Sequence, residues 1–405
     1  METNMDKLIN FAWPVTTMGK YDYDALKECI EKNTAIFERK TIVIFGAGIR
    51  GTGFSILLQK FGYKDILFTD NNVEKVGGTI NQFPIISYDE VKKRDNIVII
   101  NSVENGFAIN SQLKNDGFVE NKDFFYIENH LYELYVQEFM KKKHTGTLIM
   151  GDCGITDISK EDSDYTNLEE LLKEQLGENT KVLAVHAMGM RAFYHILKAH
   201  ISYVEVPRKA VIMANFETFT GKQHLLPRSQ HAHLIEMISN AINNQDMELK
   251  DYVEVTKKRF ENFNVDYFTS SKNALHHMSS ERNDRLVIRM NYMYELKEDN
   301  ECVVYMKKIV DLCRNNKIKL LFFIPPANYL YAEELYGEKF TEKYQANVDK
   351  LKRIVNEYGA DLLDLSYLLG QDKFADIHTI DETANYEGRK AVASEIVKAV
   401  NVLDE

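Results

Sequence analysis

Two short stretches of this chain set residues capable of chemistry directly after apolar runs. The first is Gly46-Ala47-Gly48-Ile49-Arg50-Gly51, which follows TIVIF. Its spacing is GxGxxG. Glycine serves such a turn because the turn is tight and a pyrophosphate must approach the backbone closely. The N–H groups of the following helix then face the anion. Asp70 lies 19 residues beyond Gly51, at the end of the next apolar run, where a carboxylate reaches a ribose hydroxyl. Gly46, Gly48, Gly51 and Asp70 are therefore candidate cofactor-binding residues. A domain of the same shape that binds nothing, or only mediates assembly, satisfies the pattern too.

The second stretch is Gly151-Asp152-Cys153, after TLIM. A nucleophile there stands at the carboxyl end of a sheet. Nearby helix N-termini lower a thiol's pKa and stabilise an oxyanion. Cys153 also reads as a small apolar residue buried under the turn. Residues 217–231 (ETFTGKQHLLPRSQH) could line the same cleft through Lys222, His224, Arg228 and His231. An arginine fork matches phosphate or carboxylate, whereas a plain solvated loop would leave these residues without a role. His231 and His233 alone make a poor metal site, and no HExxH pattern occurs, so no metal is expected.

The elements that position these residues read as two α/β series. Residues 20–39 form a helix on Leu26, Ile30, Ala35 and Ile36. Strands follow at 41–48, 65–72 and 96–102, with helices at 50–62, from 87, and ending at 111–117. A second series begins at 147–154 and continues with strands at 181–189, 209–216, 318–326 and 360–366. Strands alternating with helices predict parallel, helix-covered sheets. The expected organisation is a helical segment at 1–39, a first α/β domain at 40–135, and a second at 145–405 with a helical insertion at about 224–300.

The bulk numbers narrow the class. The 405 residues are 44% hydrophobic, enough for two cores, and carry a formal charge of −11. An acidic surface repels phosphate backbones, so nucleic acid is not an expected partner. No run approaches the ~20 apolar residues of a membrane helix, and the N-terminus lacks a signal peptide's apolar region. The four cysteines form no CxxC pair. A reducing cytoplasm is the expected compartment. A homo-oligomer is compatible with all of this.

Residues 40–128 resemble the Rossmann-like domain attached to bacterial surface-glycan enzymes, through IVIFGAGIRG, FTDNN, FPIISYDEV and IVIINS. That resemblance implies a dinucleotide or nucleotide sugar as ligand; dehydrogenase chemistry is not expected. Residues 147–223 and 318–400 resemble the SGNH (GDSL-like) hydrolases. Gly-Asp-Cys stands for their Gly-Asp-Ser, VIMANF places Asn215 at their asparagine, and Asn385 and Gly388 match their last helix opening. Counting back from these, the family's histidine falls on Thr383. Either His378, spaced two from Asp376, supplies the base from a shifted loop, or the histidine role is lost.

The resemblance implies Cys153 as nucleophile, His378 as base, Asp376 as its orienting partner, and Asn215 with an N–H near Gly189 as oxyanion donors. Asp152 completes the catalytic set. The implied function is a cytoplasmic enzyme of surface-glycan metabolism (capsule, teichoic acid or flagellin glycan). It would transfer or hydrolyse an acyl-type group on a sugar or nucleotide-linked intermediate. The alternatives are a transferase of a phosphate-linked substituent using His224 and Arg228, or a catalytically inactive binding or scaffold protein.

Overall fold

The computed structural model describes residues 17–103, 106–159, 162, 164–220, 231–260, 280–378, 380 and 382–403. The chain divides into two compact units at Leu134. Both are α/β, with mostly parallel sheets covered by helices.

The first unit runs α1 (Lys20–Lys32), β1 (Thr41–Phe45), α2 (Ile49–Lys60), β2 (Ile66–Thr69), β3 (Thr79–Ile80), β4 (Phe83–Ile86), β5 (Ile97–Asn101), α3 (Phe107–Asn115) and β6 (Phe124–Tyr126). Its sheet order is β3-β4-β2-β1-β5-β6, parallel except for β3 against β4. Strand β1 is covered on both faces, which is why TIVIF is apolar throughout rather than alternating. The helix expected over 20–39 is interrupted at Asn33, whose side chain donates to the Cys29 carbonyl. Ala35 is consequently exposed, and Phe37 enters the core instead.

The three glycines of the first motif differ in what they face. Gly46 has φ +112°, and a Cβ there would lie 2.8 Å from Ser102 Oγ and Val103 Cγ2. A Cβ on Gly51 would lie 2.0 Å from the Gly46 carbonyl oxygen. A Cβ on Gly48 would meet nothing within 4 Å. Gly51→Ala is therefore expected to cost at least ~3 kcal/mol by forcing the turn off its helix, whereas Gly48→Ala changes stability by less than ~1 kcal/mol. Urea unfolding of both variants checks this.

The second unit holds the remainder of α4 (Ile127–Met140), then β7 (Thr147–Gly151), α5 (Leu168–Leu176), β8 (Thr180–Ala184), α6 (Met190–Tyr203) and β9 (Lys209–Met213). The described parts of the insertion are helical: α7 (Ala232–Ala241), α8 (Met247–Phe260) and α9 (Ser280–Asn291). The chain ends through α10 (Glu301–Asn315), β10 (Lys319–Ile324), α11 (Glu338–Glu357), β11 (Asp361–Asp364) and α12 (Tyr386–Val402). The sheet is wholly parallel in the order β8-β7-β9-β10-β11. Val392, Ile396 and Val400 of α12 join Ile149, Val211 and Phe323 in one buried cluster. The strand order reverses between β7 and β9, and in open parallel sheets the carboxyl ends at such a reversal frame a crevice.

Candidate active site

Asp152 and Asn215 follow the two strands that flank this reversal. The exit from β7 is tight: a Cβ on Gly151 would lie 2.3 Å from Ile155 Cδ1, so that side chain would have to shift. Asp152 then caps the short helix Cys153–Thr156, its Oδ1 accepting from the Gly154 N–H at 3.0 Å. Asn215 caps the single 3-10 turn Phe216–Phe219, its Oδ1 accepting from the Glu217 N–H at 2.9 Å. Each cap locks its side chain to its own backbone, so the remaining polar atoms point in fixed directions.

Those atoms converge with Glu382. The Asn215 amide nitrogen donates to Asp152 Oδ2 at 2.8 Å and to Glu382 Oε2 at 2.5 Å. Tyr292, at the end of α9, donates its hydroxyl to Glu382 Oε1 at 2.6 Å. Beside it, Asn291 donates to Glu217 Oε1 at 2.9 Å. A ligating atom of Asp152, one of Glu382 and the half-buried Cys153 Sγ all lie within 4.8 Å of one another. Both oxygens of Asp152 and both of Glu382 already accept a hydrogen bond. Each of these four oxygens thus has a protein donor of its own.

Electrostatics sets the protonation of this group. Burial pushes the Glu382 carboxyl well above its ordinary value, and the charges of Glu217 and Asp152 push the same way; Tyr292 and Asn215 oppose them. Burial also raises Asp152, against the Gly154 N–H, Asn215 and His186. The Cys153 thiol is raised well above its ordinary value by burial, and further by Asp152, Asp157, Glu382 and Glu217. The sequence pattern predicts that neighbouring N–H groups lower this thiol; burial and the carboxylates win instead. The resting residue is a thiol, with its proton available to a base.

A raised carboxyl has a consequence for stability. The folded state binds more protons than the unfolded chain once pH exceeds Glu382's ordinary value of 4.5. The contribution is therefore full below that value and is lost as pH rises through the folded pKa. The unfolding free energy of the native chain should fall more steeply from pH 4.5 upward than that of Glu382→Gln, as read by urea midpoints across the range.

The other residues singled out from the sequence are distributed as follows. Asp152, Cys153 and Asn215 come together. Gly189 caps α6, and a Cβ on it would lie 3.8 Å from Thr218 Cβ, on the turn that Asn215 opens. His378 is exposed, and Asp376 accepts from the His378 main-chain N–H at 2.8 Å rather than orienting the ring. Among the described residues no hydrogen bond joins the His378 ring to the cluster. Lys222, His224 and Arg228 lie outside the described residues. His231 is buried at the start of α7, with φ +48°.

In the first unit, Asp70 Oδ2 accepts from the Ala47 N–H at 2.8 Å and from Lys75 Nζ at 2.8 Å. Lys75 also donates to the Ala47 carbonyl at 3.0 Å. Asp70 thus braces the glycine turn itself.

Sequence reasoning passed over Glu382, Glu217, Tyr292 and Asn291. Glu382 had one usable signal: it adjoins Thr383, the position reached by counting back from Asn385 and Gly388. Tyr292 had none, since only the fold brings a residue of the insertion to this sheet end. No protein-family model matches the chain, and no curated protein matches it by sequence.

Proposed function

We propose that the second unit is an SGNH-like acyl-transferring or acyl-hydrolysing domain in which Glu382 does the work of the family's histidine. The observation that carries this reading is the hydrogen-bonded group Asp152–Asn215–Glu382 beside Cys153. In the first step the Cys153 sulfur bonds to the acyl carbon while its proton passes to Glu382. The carbonyl π electrons move to oxygen, where the Gly189 N–H serves as donor. Collapse expels the leaving alkoxide, which takes the proton back from Glu382. A hydroxyl acceptor or water then cleaves the thioester by the reverse sequence. A carboxyl whose pKa is raised by burial is a stronger base toward the thiol proton than an ordinary one, which suits this shuttle. The substrate class is an acylated sugar or nucleotide-linked intermediate of a surface glycan, handled in the cytoplasm. No described helix is long and apolar enough to cross a membrane.

The first unit, on this reading, is a Rossmann-like domain for a dinucleotide or nucleotide sugar. Gly48 supports that role, because its open face is where a pyrophosphate would cross the backbone. A ribose hydroxyl would have to displace Lys75 from Asp70. The alternative transferase of a phosphate-linked substituent would use His224 and Arg228, which lie outside the described residues. A catalytically inactive binding protein is the second reading, favoured by the raised thiol.

Incubation with a p-nitrophenyl ester followed by mass spectrometry decides between them. The acyl reading expects ester turnover and an acyl adduct on Cys153, both absent in Cys153→Ala. No turnover and no adduct would leave the binding protein.

A further inference from the structure

Arg389 is 1% exposed and lies in the first turn of α12. Two general rules run against it there. A buried cation needs full compensation, and a positive charge opposes the dipole at a helix N-terminus. Its compensation is a cage. Nε donates to the Thr166 carbonyl at 2.9 Å and Nη2 to the Asp164 carbonyl at 3.1 Å. Nη1 donates to Asp162 Oδ2 at 2.8 Å and to the Ala384 carbonyl at 2.7 Å. Two separate stretches are thereby fastened to one guanidinium: Asp162 with residues 164–166, which lead into α5, and the segment that carries Glu382 two residues before Ala384. Arg389 and Glu382 also line the same cavity of about 10 Å³, with Gly154 and Met213. The cavity has room for about one water, so there is little slack between this clamp and the Cys153 turn.

We propose that Arg389 is a positioning residue that fixes the Glu382 segment, keeping its carboxylate on Asn215 and beside Cys153. The proposal rests on the reading of Glu382 as the base at Cys153. Lysine carries the same charge but cannot span two loops with a planar fork. Arg389→Lys should therefore keep the helix while releasing Ala384.

The test is the pH dependence of Cys153 alkylation by iodoacetamide in the full chain, followed by peptide mass spectrometry. It compares the native chain, Glu382→Gln, Arg389→Lys and the double variant. Glu382 helps hold the thiol up. Glu382→Gln should thus label Cys153 faster at about pH 9, on the order of threefold to tenfold. Arg389→Lys should do the same, and should add nothing in the Glu382→Gln background. Native-like labelling in folded Arg389→Lys, or an equal acceleration in both backgrounds, would overturn the proposal. Should Arg389→Lys fail to fold, Asp162→Asn loosens the same clamp and is read the same way. Alkylation needs no ester turnover. An absent acyl adduct with coupled labelling sinks the acyl reading alone, and uncoupled labelling sinks the positioning role alone.

Discussion

On the acyl-transfer reading, Glu382→Gln is expected to slow ester turnover by about 10²–10⁴-fold, the usual worth of a general base, while making Cys153 more reactive toward an alkylating probe. The two effects have opposite signs because they draw on different properties of one carboxylate. Turnover needs an acceptor for the thiol proton in the transition state, and glutamine offers no such acceptor. Alkylation depends on the thiolate fraction, and Glu382 is one of the charges that suppress it. Glutamine still accepts the Tyr292 hydroxyl at one oxygen, so the packing around α9 is largely kept. A purely structural Glu382 would lower turnover and reactivity together, through loosening. Parallel measurement on one preparation distinguishes these outcomes. If turnover survives within about tenfold, the base lies elsewhere.

Arg389→Met is expected to cost about 3–5 kcal/mol, the range for stripping one partner from a buried ion pair. The loss is large because methionine leaves four acceptors without their donor: Asp162 and the carbonyls of Asp164, Thr166 and Ala384. The Asp162 side chain is only 10% exposed, so water does not readily replace the guanidinium. The van der Waals volume lost is small by comparison, so the broken polar cage accounts for most of the cost. Removing both charges, in Arg389→Met with Asp162→Leu, should recover part of the loss, since an apolar pair avoids the uncompensated carboxylate. Urea unfolding of the single and double variants checks both statements. An Arg389→Met variant within about 1 kcal/mol of the native chain would mean the cage is solvated.

How much of this was legible in the sequence depended on where each residue's constraint came from. The central strands β1, β5, β7, β9 and β10 were readable because both their faces are buried, which demands unbroken apolar runs. Strands β3, β4 and β6 are two to four residues long and were not distinguished from loops, since so short a run shows no period. Gly151 and Gly388 were readable because turns and close packing demand them; a Cβ on Gly388 would lie 2.7 Å from the Lys373 carbonyl oxygen. Glu382 was missed because residue type pointed elsewhere. His378 was the only nearby histidine, and an acidic residue among Asp376, Asp381 and Glu382 carries no local signature. Tyr292 stands 90 residues from the carboxylate it touches. Nothing in its own neighbourhood marks it, because the partnership exists only after the insertion has folded back on the sheet end.

The unequal roles of the three glycines in the first unit bear on how such chains diverge. Gly46 and Gly51 are demanded by the polypeptide itself, whatever the domain binds, and selection for folding alone would preserve them. Nothing in the polypeptide demands glycine at position 48, where a Cβ would meet no atom within 4 Å; on the proposed reading only a ligand would. In a lineage without a ligand at this turn, position 48 is the one free to drift toward serine or alanine, while the flanking pair would stay. Descendants of a common ancestor should sort by that single position into those still under selection for a ligand and those retaining the domain for its shape. A search profile weighted equally over the three glycines would blur that distinction.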